Sequence, residues 1–442
     1  MLFKTPGLKT TLRSLAVFAG VLSLLSCSKY NAGGRGGNQS KLRFRAFVSN
    51  PVHPNASGGG SPVLEVVDAT KDLLSGFFVS LTSTSSVNDA GMMSVSPNHD
   101  RTLVMSPRDH KLGVVDNVTE AIVGSFTLPG TSESFFVWTD NRSIFIAIPS
   151  APITAQAPGV IEQLDSSSGT VTATVPIPSA RYLVPSPDGN QILVFSNNAD
   201  TVVLITPSLL GAAGQPSSVV QCTSVQVPPC ILPHTFDRPI SAAFDASGST
   251  AYVINCGPEC GGTTAGVSAV NMNATGDPAQ VVIATRSVPA GTTALLQGAQ
   301  LYVAGTPIGT VGSLSVLNLA TGFSNVDCTS ATLVDCQTFP ITDGYHDRIQ
   351  MGSNGQLFVG SRFCTSAGCL SIFNTISSAV IQPSTGGDVT GIEPIPNRNE
   401  VYVCQGGLLR VYDTTTDALE NIPTIGQPNI LGQAIDVKAV DF

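Results

Sequence analysis

The chain has 442 residues, with 21 Lys and Arg against 30 Asp and Glu and a net charge of −9. That balance excludes the basic footprint a nucleic-acid binder needs. Only 12% of residues are charged and 42% are apolar, with 43 Gly and 30 Pro. The composition therefore excludes a disordered chain and points to a turn-rich, all-β protein rather than a helical one.

In chain order, residues 1–26 read as a signal peptide. Lys4, Lys9 and Arg13 precede an apolar run from Leu15 to Leu25, shorter than the about 20 residues that span a bilayer. Leu24-Leu25-Ser26-Cys27 resembles a bacterial lipobox, which implies cleavage before Cys27 and lipidation of its thiol. Ser28 follows, rather than Asp, and by the same resemblance this implies sorting to the outer membrane, on its periplasmic or surface side. Residues 27–43 then form a Gly-rich tether, and residues 44–442 the folded body.

From Phe44 onward the pattern is one of repeated β-hairpins. They begin near Ala46, Thr102, Ser143, Gln191, Thr250, Gln300, Gln356 and Glu400. In the last, Val401-Tyr402-Val403-Cys404 is apolar on both faces, Gln405-Gly406-Gly407 turns, and Leu409-Arg410-Val411-Tyr412 returns. Each second strand runs into a polar residue: Asp68, Asp116, Asp165, Thr206, Asn271, Asn318, Asn374 or Asp413, spaced 39 to 65 residues apart. Further strands on either side make four per repeat, the blade of a β-propeller. A sheet apolar on both faces is stable only between two copies of itself, and a closed ring removes the exposed ends. The first hairpin has no inner strand before it, whereas residues 433–442 (QAIDVKAVDF) form an extra strand after the last. That strand is expected to complete the first blade. Eight blades result, or seven if the third hairpin is an insertion.

The stretches 182–205 (YLVPSPDGNQILVFSNNADTVVLI) and 301–322 (LYVAGTPIGTVGSLSVLNLATG) resemble the YVTN-type propeller repeat, although a clean YVTN tetrad is missing and the loops are longer. The resemblance implies an extracytoplasmic seven- or eight-bladed propeller, a fold that carries no single activity.

Eight cysteines fall into close pairs, Cys222/Cys230, Cys256/Cys260, Cys328/Cys336 and Cys364/Cys369. An exported chain meets an oxidising compartment, so four local disulfides are expected, and no histidine stands at ligand spacing to favour a metal site. Cys404 is left inside a strand as a buried apolar side chain.

Loops leading into three inner strands end on arginine: Arg181, Arg238 and Arg348. Asp237 and Asp347 directly precede two of these, with His234 and His346 close by. If these groups ring the channel mouth, they suit an anionic ligand; otherwise each Asp–Arg pair ties one blade to the next. No catalytic motif is present, and neither a metal nor a cofactor is indicated. The sequence thus suggests a lipid-anchored, non-enzymatic binding or scaffold propeller for a protein, peptide or glycan partner. The alternative is a hydrolase or lactonase acting on an anionic small molecule at the axial pocket.

Overall fold

Strands apolar on both faces need cover on both sides, and the chain supplies it by repetition. A computed structural model of the protein describes residues 39–441, except 56, 83–86, 155, 211–218, 224–228, 324–327, 329–334, 366–367, 421 and 423–426. The leader, Cys27 and most of the tether lie outside the described residues. Eight sheets are formed, each a blade of a β-propeller. Blade 2 shows the plan: strands Met93–Val95, Arg101–Ser106, Lys111–Asp116 and Ala121–Thr127 follow one another from the channel outward. Blade 3, which the sequence left open as an insertion, is a complete sheet of four strands.

The ring closes as expected. Asp436–Ala439 is the innermost strand of blade 1 and pairs antiparallel with Arg45–Pro54, Ala46 opposite Ala439 and Ser49 opposite Asp436. Each inner strand touches the next all the way round, including Asp436–Ala439 against Met93–Val95. The Met93 N–H donates to an Asp436 carboxylate oxygen at 2.8 Å, carrying the seal into blade 2.

The core is divided in the same way. Eight clusters of buried apolar side chains lie among the described residues, one between each pair of neighbouring blades. At the blade 8–blade 1 junction, Tyr402, Leu409 and Val411 pack on Val48, Val67 and Val437. Fully burying one such side chain contributes about 1.5–3 kcal/mol, so the stability of each blade depends on its neighbours.

The recurring polar residues are turn-makers. The side chain of Asp116 accepts from the Val118 and Thr119 N–H groups, that of Asp165 from Ser167 and Ser168, and that of Asn374 from Ile376 and Ser377. A short side-chain acceptor that binds the backbone two residues on is the reason for Asp or Asn at these positions. The Ser186-Pro187-Asp188-Gly189 turn works similarly: Ser186 Oγ donates to Asp188 at 2.6 Å, and Gly189 takes φ +69°.

Blade 4 departs from the plan. After Val202–Ile205 the chain makes a long excursion and returns with Cys230–Ile231, which also pairs in parallel with Val220–Gln221 to give a fifth strand. All four expected disulfides form. Cys222–Cys230 and Cys328–Cys336 fasten outermost strands. Cys256–Cys260 and Cys364–Cys369 lie in loops joining second to third strands. Cys404 is free and buried, and burial pushes its thiol pKa well up. Among the described residues no helix is long and apolar enough to cross a membrane.

Candidate functional site

Loops between second and third strands, and those entering the inner strands, share one end of the ring, here called the upper face. Just inside that face the inner strands of blades 4, 5, 7 and 8 each carry a register shift, at Ala180/Tyr182, Pro239/Ser241, His346/Arg348 and Val389/Gly391. A bulge re-aims the side chain of the extra residue. Three of these residues, Arg181, Ile240 and Asp347, line cavities at the channel mouth.

Two adjoining cavities are present. The inner one, about 220 Å³, has walls from blades 2 to 7, including Met92, Glu133, Tyr182, Thr292, Asp347 and Arg362. The outer one, about 190 Å³, lies against Arg181, Asn197, Asn198, Arg238 and Cys260. Tyr182, Ile240 and Tyr345 belong to both. The hydroxyls of Tyr182 and Tyr345, three blades apart, approach to 3.3 Å and span the channel. Burial raises the pKa of both, so they stay neutral.

The arginines are occupied. Arg181 donates to Glu133 of blade 3 at 2.7 and 2.9 Å, and its guanidinium lies 4.8 Å from the centre of the Tyr182 ring. Arg238 sits 3.5 Å from Asp200 of blade 4 and donates to the Asn198 carbonyl. Arg348 donates to the Thr390 carbonyl of blade 8 at 2.8 Å and stands 3.5 Å from Asp347, which also pairs with Arg362. Asp237 accepts from the Thr263 and Thr264 N–H groups and so holds the Cys256–Cys260 loop. Burial works against its charge, but these bonds and Arg238 bring its pKa down. Arg181, Arg238 and Arg348 thus each bond to a neighbouring blade, but through Glu133, Asp200 and the Thr390 carbonyl rather than through the expected Asp–Arg pairs, since Asp237 and Asp347 bond within their own blades.

Both histidines stand away from the channel mouth, correcting the expectation that they ring it. His234 follows Cys230–Ile231, the fourth strand of blade 4, lies near Gln221 of the outermost strand, and packs edge-on to Phe236 at 4.8 Å. The excursion that adds the fifth strand leaves it at the outer edge. His346 is fully buried: its neighbours Tyr345 and Asp347 line the inner cavity, while its own ring turns toward Gly312 and Thr306 of blade 6. The two therefore do not combine with the arginines into the single pocket that a hydrolase built from these residues requires.

Sequence reasoning missed two other groupings. His53 Nδ1 and Glu65 Oε1 lie 2.6 Å apart in blade 1, against Phe78. At the blade 8–blade 1 junction Asp72, Glu400 and Glu420 converge, and Arg398 supplies the counter-charge, donating to both Asp72 oxygens at 2.7 and 2.8 Å and pairing with Glu400. The Tyr402 hydroxyl adds a 2.5 Å bond to Asp72. The acidic groups come from different blades, so only the folded ring assembles them, whereas His53 and Glu65 stand 12 residues apart on paired strands of one hairpin.

Burial of His346 gives a pH dependence. Its pKa falls from 6.5 to about 4, chiefly through desolvation. The unfolded chain then binds the extra proton between these values, so this stabilisation is complete above pH 6.5 and is lost as pH falls toward 4, by about 3 kcal/mol. Glu259, raised to about 7 by burial, has the opposite sign: its folded form holds a proton that the unfolded form releases above pH 4.5. The His346 contribution is therefore read as a difference. His346→Leu should flatten the acid limb of stability against pH relative to the parent, as measured by urea denaturation at pH 4.5 and 7.

Comparison with known proteins adds the fold. No family model matches the chain, and no curated protein matches it. Among solved structures it is similar to the dihydro-heme d1 dehydrogenase NirN in complex with DHE, with a TM-score of 0.60 and 13% identity over 91% of this chain and 76% of that one. It is also similar to Kuenenia stuttgartiensis hydrazine synthase, with a TM-score of 0.51 and 12% identity over 74% of this chain and 96% of that one. At such identities the likeness concerns the propeller fold alone.

Proposed function

We propose that the protein is an exported, lipid-anchored propeller that binds a protein partner through one half of its upper face. The observation that carries this reading is the placement of exposed apolar side chains. On consecutive blades 6, 7, 8 and 1 the upper loops and the strand ends beside them present Ile308 (73% exposed), Val311, Phe363 (78%), Leu408, Leu431 and Val52. The loops form one connected rim: Thr306 donates to the Gly344 carbonyl, the Phe363 N–H to Asp388, the Ala434 N–H to the Gly407 carbonyl, and Asn50 to the Leu431 carbonyl. Exposed apolar groups scattered singly are ordinary, whereas a run along one rim is the mark of an interaction surface. Blades 3 to 5 instead present Glu133, Arg181, Asn198, Asp200 and Arg238 at that end.

The anchor suits this orientation. Ser40 bonds Glu120 in a turn on the opposite face, so the tether enters from the side away from the rim. Cys27 is read as the lipidated residue on its lipobox, and the four disulfides fit an oxidising compartment.

Ile308→Asp, Phe363→Asp and Leu431→Asp together should leave thermal unfolding within a few degrees of the parent. They should also lower cross-linked partner recovered from intact cell envelopes at least tenfold. Equal recovery by this folded variant would refute the reading.

A further inference from the structure

The inner axial cavity is distinct from the rim and has its own chemistry. From the groups that meet there, we infer that it binds a neutral polyhydroxylated small molecule, such as a single sugar ring. This rests on the binding-propeller reading and adds a second ligand class to it.

Charge balance comes first. The inner cavity is lined by two carboxylates and two guanidiniums: Arg348 and Arg362 share Asp347, and Glu133 is engaged by Arg181, which stands just outside it. An incoming anion would have to compete with these internal partners at short range, and would meet Glu133 and Asp347 as like charges. A neutral ligand meets no such opposition. The arginines suit an anionic ligand only when free, and Arg181, Arg238 and Arg348 each stand against an acid instead.

Unspent hydrogen-bonding capacity comes next. Asp347 and Arg362 both line this cavity, and the acceptor Oδ1 of one and the donor Nε of the other have no protein partner among the described residues; both atoms are closed off from the open space, so a ligand reaches them by a turn of the side chain. A buried donor and acceptor left unmade are costly, and a hydroxyl satisfies either. Ser134, Ser241, Thr292 and Thr293 add hydroxyls to the wall.

Shape and surface complete the match. Tyr182, Tyr345, Met92 and Ile240 provide flat or apolar surface, so the lining combines apolar contact with a few convergent polar groups. At about 220 Å³ the space falls below the about 300–1,000 Å³ of drug-sized sites, which limits the occupant to about one ring. The outer cavity adjoins it on the side of the upper face, with Tyr182 and Tyr345 in the wall of both.

The test uses the full mature chain and calorimetric titration with galactose, N-acetylglucosamine, glucose and myo-inositol, each alone, and with phosphate, sulfate and acetate as anions. The inference expects at least one neutral polyol to bind, and Tyr182→Ala and Asp347→Asn each to weaken it tenfold or more. The conservative Tyr182→Phe, which keeps the ring, should retain most of the affinity and shows that loss in Tyr182→Ala is not loss of fold. Binding of the anions but none of the polyols would overturn the inference, as would no binding by any probe, or polyol binding unchanged in Tyr182→Ala and Asp347→Asn. Partner recovery with the rim variant is read separately, so failure of the cavity is distinguishable from failure of the binding surface.

Discussion

A chain ended after residue 432 should fail to fold as a cooperative unit. It loses Asp436–Ala439, the inner strand of blade 1, and leaves the matching edge of Arg45–Pro54 unpaired. Buried Val437 and Val440 are removed, as is Asp441, which takes two bonds from Arg45. Two buried valines at about 1.5–3 kcal/mol each and a broken buried ion pair at about 3–5 kcal/mol together cost about 6–11 kcal/mol. That is comparable with the whole stability of an ordinary protein, about 5–15 kcal/mol. The truncated chain should elute as aggregates, because an open strand edge is a template for pairing. A soluble monomer with the parent's melting temperature would show that the last strand is dispensable.

The second large effect is expected at Arg45. Its side chain is fully buried, donating to Glu120 at 2.6 Å and to Asp441 at 2.5 and 2.7 Å. Burial lowers its pKa, and Glu120 counters that by favouring the charge. The residue thus joins the first strand, a turn of blade 2 and the carboxyl-terminal segment at one point. Arg45→Met nearly keeps the volume but removes the counter-charge of two buried carboxylates, and should destabilise by about 3–5 kcal/mol. Adding Glu120→Gln removes one of those charges and should recover part of the loss. Urea unfolding of the single and double variants measures both. No loss in the single variant would show that the triad is incidental.

The repeating architecture was legible because its signals are local. Runs such as Val401-Tyr402-Val403-Cys404, and an Asp or Asn ending seven of the eight second strands, act within a few residues. The structure shows the latter as turn acceptors. The carboxyl-terminal seal was legible from an imbalance, a first hairpin without an inner strand and a last blade followed by one too many. Blade 4 was harder, since neither the parallel pairing of Val220–Gln221 with Cys230–Ile231 nor the displacement of His234 that follows from it leaves a pattern in the chain.

The site was legible only in part. Arg181, Arg238, Asp347 and Arg348 were found because they stand where loops enter inner strands, and the structure puts them at or beside the cavities. Their partners Glu133, Asp200 and Arg362 come from other loops and strands, and that pairing decides whether an arginine is free for a ligand. Tyr182 and Tyr345 were passed over because only ring geometry brings residues 163 positions apart to 3.3 Å. The rim of Ile308, Phe363 and Leu431 was missed for the same reason: the three lie in separate loops that only the ring brings side by side.

Everything above depends on a ring sealed by the final strand, and hydrogen exchange read by mass spectrometry on the intact chain tests that most directly. Peptides covering 436–439 should be protected to the same degree as those covering 401–404 in the centre of blade 8, and lose protection together with them in denaturant. Exchange of 436–439 at the rate of a free peptide, while 401–404 remains protected, would contradict the closed ring.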